Sequence, residues 1–239
     1  MKALLFNSGM GSRMGKLTAD KPKSMCPIGN GYTIISWQLE LLRRCGVTDV
    51  IITTGYRALQ LEEHIRSCGE GMNLTFVHNP DYDKTNYIYS MFLAREYLDD
   101  DIISLHGDLV MEQQVMESLL STSDSCVVVD STLPLPEKDF KAKLKDSKVS
   151  AIGIEFFGEG CVACQPAYKW HKKDIAQFLD SVEQFCSNGQ TKVYAENAFN
   201  AISNEITLMP LEVKGRLCSE IDNIEDLKHV SNRFLECME

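Results

Sequence analysis

Lys2-Ala3-Leu4-Leu5-Phe6 runs directly into Asn7-Ser8-Gly9-Met10-Gly11-Ser12-Arg13-Met14-Gly15, and this junction decides the fold class. A short apolar run of this kind reads as a strand buried on both faces, and the C-terminal edge of such a strand is where open α/β sheets bind ligands. Working outward, residues 34–45 carry an amphipathic helical pattern and Val50-Ile51-Ile52-Thr53-Thr54 a second buried strand, which makes a βαβ rhythm. The rhythm continues with helices expected over 59–68, 88–97 and 111–120, and strands over 74–77, 102–105 and 126–129. The expected fold class is α/β, a mixed but mostly parallel sheet with helices on both faces. From Ser131 the texture changes. Residues 140–145 and 149–157 flank a Lys-Asp-Ser-Lys turn and predict antiparallel strands added to the sheet; helices follow over 174–186 and 194–202, a strand over 206–213 and a closing helix over 224–234. No linker divides the 239 residues, so one domain is expected over 1–239.

Charge narrows the partners. Asp and Glu total 34 against 24 Lys and Arg, a formal charge of -10, so the whole-protein field repels nucleic acid and anionic lipid. Any phosphate must be held by a local basic pocket. Arg13, Lys16, Lys21 and Lys23, four cations within eleven residues, supply one beside the glycine loop. The apolar start is stopped by Asn7-Ser8-Gly9 far short of a signal-peptide core, and no apolar run approaches the ~20 residues of a membrane helix, so a cytoplasmic protein is expected. Nine scattered cysteines in a chain of this length predict reduced thiols. Cys161-Val162-Ala163-Cys164 lacks the second pair that a zinc site requires and reads as strand.

The glycine loop excludes two common phosphate-binding motifs. A Walker loop ends in Gly-Lys-Ser/Thr, which is missing here, and a dinucleotide fingerprint needs a third glycine where Met14 stands and an acidic residue where the second strand ends in Thr53-Thr54-Gly55. What remains is Gly9-Met10-Gly11-Ser12-Arg13 followed by Lys21-Pro22-Lys23, which resembles the G-x-G-x-R…K-P-K signature of the sugar-phosphate nucleotidylyltransferase superfamily. The usual Leu-Ala-Ala-Gly leader is replaced by Phe6-Asn7-Ser8-Gly9. Asn79-Pro80-Asp81-Tyr82 with Asn86-Tyr87-Ile88-Tyr89-Ser90 is similar to a segment of the CTP:phosphocholine cytidylyltransferase branch, as is Glu220-Ile221-Asp222-Asn223-Ile224-Glu225-Asp226-Leu227. Between them, His106-Gly107-Asp108 closes a hydrophobic strand.

The resemblance implies a Rossmann-like fold of the nucleotide-diphospho-sugar transferase type, with a nucleotide-binding half over 1–130 and an acceptor-binding half over 131–239. It implies transfer of CMP from CTP to a small phosphorylated acceptor, with Mg²⁺ held by Asp108 and Asp222. Lys23 would touch the α-phosphate and Arg13 the leaving pyrophosphate, with Asp108 completing the catalytic group. Ser8, Gly9, Gly11, Ser12, Arg13, Lys21, Asn79, Asn86 and Ser90 would hold the nucleotide. Tyr194, Glu196, Phe199 and Glu220 would face a cationic acceptor such as phosphocholine, through aromatic faces and carboxylates. Two other readings stay open: a sugar-1-phosphate nucleotidylyltransferase using UTP, dTTP or GTP, and a catalytically silent nucleotide-sensing module, against which Lys23, Asp108 and Asp222 all stand in place. A monomer or homodimer is expected.

Overall fold

The computed structural model describes residues 1–238. Its strands are β1 (Lys2–Asn7), β2 (Pro27–Gly29), β3 (Tyr32–Thr33), β4 (Asp49–Thr54), β5 (Asn73–His78), β6 (Ile102–His106), β7 (Leu109–Met111), β8 (Cys126–Asp130), β9 (Lys141–Lys145), β10 (Lys148–Gly153), β11 (Cys161–Trp170), β12 (Met209–Glu212) and β13 (Cys218–Glu220). The helices are α1 (Ile34–Arg44), α2 (Ala58–Cys68), α3 (Tyr87–Ala94), α4 (Gln113–Ser121), α5 (Lys172–Ser187), α6 (Ala195–Ala201) and α7 (Ile224–Met238).

The main sheet runs β10-β9-β11-β6-β1-β4-β5, and β8 joins it through β11 with β12 beyond. Strands β6, β1, β4 and β5 are mutually parallel, as the βαβ rhythm predicts; β11 then enters antiparallel to β6. Side chains alternate across each strand, so one apolar run feeds two cores. Ala3 and Leu5 pack with Val50, Ile52, Ile103 and Leu105 against α1, α2, α4 and α7, while Leu4 and Ile51 pack on the opposite face against α3, α5 and α6. The N-terminus of α1 is fixed by a capping box, in which Thr33 Oγ1 accepts from the Ser36 N–H and Ser36 Oγ accepts from the Thr33 N–H.

The structure departs from expectation in detail. Val149–Phe157 was to be one strand, but β10 ends at Gly153; Met111 closes the short strand β7 rather than opening a helix. The expectation for β11 covered only its cysteine pair. The strand instead runs ten residues and sits in the middle of the sheet, although Gln165 and Lys169 break its apolar pattern. Lys169 is nevertheless buried, because its ammonium donates to the Leu120 and Thr122 carbonyls at 2.9 and 2.6 Å.

Asp130, at the end of β8, ties the two halves together by accepting from Thr132 N–H (2.9 Å), Thr132 Oγ1 (2.6 Å) and Gly215 N–H (2.7 Å). Burial pushes its carboxyl up, but these donors outweigh burial and hold it below the usual carboxylate range. A depressed folded value contributes stability above the unfolded value and loses it as the pH falls through the folded one. Asp130→Ala is therefore expected to lose about 2 kcal/mol at neutral pH in urea titrations, with the gap to wild type narrowing in acid. A gap that widens in acid would contradict the assignment.

Candidate active site

The C-terminal ends of β1 and β6 open into a cleft of about 320 Å³ lined by the glycine loop, Lys23, Asn79, Asn86, Ser90, Asp108 and Asp222 among others. Gly11 has φ +62°, and a Cβ there would stand 2.8 Å from Lys23 Cβ, so the loop can lie against the lysine only as glycine. The Lys23 ammonium sits between two carboxylates, 2.7 Å from Asp108 Oδ2 and 2.9 Å from Asp222 Oδ1. Burial opposes its charge, but both aspartates outweigh burial and hold its pKa above the ordinary value. For Asp108 burial pushes up, and Lys23 and His106 more than reverse it.

Each aspartate is free of other duty. Asp108 lies in the β6–β7 turn, clear of any helix start, and that turn is held from below by buried Gln38, whose Nε2 donates to the His106 and Leu109 carbonyls at 2.8 Å each. At α7 the cap belongs to Asn223, which accepts from the Glu225 and Asp226 N–H groups, while Asp226 accepts from the Asp222 and Asn223 N–H groups. The Asp222 carboxylate thus faces Lys23 on one side and Arg13, at 2.5 Å, on the other. His106, Asp108 and Glu220 also bring one ligand atom each within 4.8 Å of one another, but His106 Nδ1 and Glu220 Oε1 already pair at 3.2 Å.

Most of the expected nucleotide residues meet in the cleft: Ser8, Gly9, Gly11, Ser12, Arg13, Asn79, Asn86 and Ser90 all line it, whereas Lys21 does not. Ser90 Oγ donates to Ser8 Oγ and Asn79 Nδ2 to Ser90 Oγ, both at 3.0 Å, so these two brace the loop from behind. Asn86 caps α3 through the Tyr87 N–H.

The expected acceptor residues lie outside the cleft lining. Tyr194, Glu196, Phe199 and Glu220 do not line the cleft. Phe199 is core, against Trp170 and Phe178. Glu196 and Phe199 wall a separate cavity of about 20 Å³ that shares Phe6, Tyr87 and His106 with the cleft. Glu196 accepts from the hydroxyls of Tyr87 and of Tyr168, the latter at 2.7 Å; burial and the Glu196 charge raise both phenols, which keeps them donors. Tyr194 is partly exposed, tilted against Tyr87 and edge-on to Phe140. Glu220 is held up by burial and by Asp108, against His106. In the sequence His106 and Tyr87 stood inside quoted segments without a role and Gln38 went unmarked; only the polar His106 at a strand end carried a usable signal.

A sheet with this parallel half, and a cleft joining a glycine loop, a lysine and two carboxylates at its edge, define a nucleotidyltransferase of the α/β class. The chain belongs to the MobA-like NTP transferase domain family, which matches residues 3–181. It is 34% identical over 131 residues to the CMP-5'-(3-aminopropyl)phosphonate synthase of Streptomyces rubellomurinus, covering 55% of this chain and 21% of that one. It is 25% identical over 236 residues to the choline-phosphate cytidylyltransferase of Streptococcus pneumoniae, covering 95% and 96%. In fold it is similar to the solved CTP:phosphocholine cytidylyltransferase from Streptococcus pneumoniae, with a TM-score of 0.76 at 20% identity over 98% of both chains. The inositol-1-phosphate CTP transferase from T. maritima gives 0.80 at 20% identity, covering 100% of this chain and 96% of that one. Among the described residues no helix is long and apolar enough to cross a membrane.

Proposed function

We propose that the protein is a cytidylyltransferase that joins CMP from CTP to a small phosphoryl or phosphonyl compound bearing an amine, releasing pyrophosphate. The observation that carries this reading is the Lys23 ammonium held between Asp108 and Asp222 on the cleft floor. Mg²⁺ fits the aspartate pair, since both donors are oxygen and the buried Oδ1 of Asp108 has no partner among the described residues. Bound there beside the α-phosphate, it would neutralise charge and fix alignment.

The chain's own groups do the rest. Lys23 offers a point charge to the α-phosphate oxygens as negative charge builds on them. Arg13, with its side chain two-thirds exposed, can turn from Asp222 to grip the departing pyrophosphate with its planar fork. The acceptor oxygen is already ionised near neutral pH, with a second pKa of about 6, so no general base is needed. Catalysis is charge neutralisation and in-line positioning.

The amine preference is supported by the wall of the cleft around Phe6, Tyr87 and His106. The Glu196 carboxylate accepts from the Tyr87 hydroxyl at the edge of that ring, so an ammonium group on the acceptor meets aromatic side chains with a negative charge close by. The names of the Streptomyces and Streptococcus relatives, which contain an aminopropylphosphonate and choline phosphate, point the same way. Glu196→Gln is expected to raise the acceptor KM about tenfold and leave the CTP KM unchanged. The overall test is pyrophosphate release from each of the four nucleoside triphosphates with Mg²⁺ and a panel of acceptors. CTP with phosphocholine, phosphoethanolamine or 2-aminoethylphosphonate should lead in kcat/KM; if glucose 1-phosphate outperforms all three, the amine reading is wrong.

A further inference from the structure

Four buried polar atoms at the ends of β1 and β6 have no hydrogen-bond partner among the described residues: Oδ1 and Nδ2 of Asn7, Nε2 of His106 and Oδ1 of Asp108. All three residues line the cleft. Asn7 stands apart because both ends of its carboxamide are unmet although the residue is only 6% exposed. Its backbone is otherwise satisfied, with the N–H donating to Thr53 Oγ1 at 3.2 Å. The carboxamide lies on Gly107, where an added Cβ would fall 2.3 Å from Asn7 Oδ1, and Gly107 is the residue joining His106 to Asp108. Buried amides almost always find partners, because an unmet donor or acceptor destabilises the free protein. An orphan at the mouth of a ligand cleft, in a row with two others, is a group completed by what binds there.

We propose that Asn7 is a substrate-binding residue whose carboxamide completes its hydrogen bonds with the polar ligand that fills the cleft beside Asp108. Nδ2 donates to a phosphoryl oxygen, and Oδ1 accepts from a hydroxyl or a ligand-bound water. This rests on the nucleotidyl-transfer reading and extends it to a residue outside the assigned nucleotide set. A neutral amide suits the position: it adds a donor and an acceptor next to Asp108 without altering the charge balance that Lys23 sets.

The test is Asn7→Ala, with Asn7→Ser as the variant that keeps one small hydroxyl. In the ligand-free protein, Asn7→Ala removes two unpaired buried atoms, and its Tm is expected to equal wild type or exceed it by about 2–4 °C. The Kd for CTP with Mg²⁺, or the KM for the phosphoryl acceptor, is expected to rise at least ~10-fold, with Asn7→Ser in between. Which of the two constants moves tells whether the phosphoryl oxygen belongs to the nucleotide or the acceptor. Both constants unchanged in Asn7→Ala would overturn the assignment, whatever happens to Tm. A wild-type protein that binds no nucleoside triphosphate would overturn the nucleotidyl-transfer reading itself, whereas wild-type binding with an indifferent Asn7→Ala overturns only the role of Asn7.

Discussion

Lys23→Ala is expected to lower turnover at least ~100-fold while leaving the fold intact, because a donor aimed at developing charge acts most strongly in the transition state. The lysine makes ion pairs with both Asp108 and Asp222, so the loss belongs chiefly to charge. Removing it leaves two carboxylates facing one another across the cleft floor, with Arg13 still paired to Asp222. Triphosphate entry therefore meets an added repulsion, and CTP affinity should fall along with kcat. Lys23→Arg should not rescue, since a planar guanidinium fork does not reproduce the single ammonium that lies between Asp108 Oδ2 and Asp222 Oδ1. The measurement is steady-state pyrophosphate release together with far-UV circular dichroism. Near-normal turnover in a correctly folded Lys23→Ala protein would retire the site.

Gly107→Ala is expected to cost about 3 kcal/mol or more, a drop in Tm of about 6–12 °C, and to abolish activity in the fraction that folds. Its Cβ would lie 2.3 Å from Asn7 Oδ1 and 2.4 Å from the Phe6 carbonyl oxygen. The carbonyl cannot yield: Phe6 is paired with His106 across the parallel strands, and its oxygen accepts from the Gly107 N–H at 2.9 Å. Relief requires the end of β6 to move, and Asp108 is the next residue. Stability and Lys23–Asp108 geometry are thus coupled at one glycine. Thermal unfolding within about 1 °C of wild type would show that the turn adjusts freely and would remove this constraint.

How much of this was legible in the chain differs from element to element. The parallel half could be read because β1, β4 and β6 are apolar on both faces, which only a sheet covered on both sides rewards. The cationic loop could be named because glycine spacing at a strand end limits where phosphate can sit, whereas the carboxylates at 108 and 222 were named through the resemblance of their segments to the nucleotidylyltransferase superfamily. Strand β11 was mostly hidden, because Gln165 and Lys169 interrupt its apolar pattern, and only the structure shows the carbonyls of Leu120 and Thr122 receiving the lysine. Glu196 read as an acceptor carboxylate at the surface of a helix, yet it is buried, because Tyr87 and Tyr168 supply its donors from 109 and 28 residues away.

By itself, then, the sequence determined the α/β class, the alternation of strands and helices in the N-terminal half and the basic cluster beside the glycine loop, because hydrophobic periodicity and turn chemistry are local properties of the chain. Only the tertiary structure decided which charges meet. Lys23 reaches Asp108 across 85 residues and Asp222 across 199, and the orphaned amide of Asn7 is defined by what fails to surround it. Such pairings depend on burial and on the directions of side chains from separate elements, and both are set only when the sheet has assembled and closed its two cores.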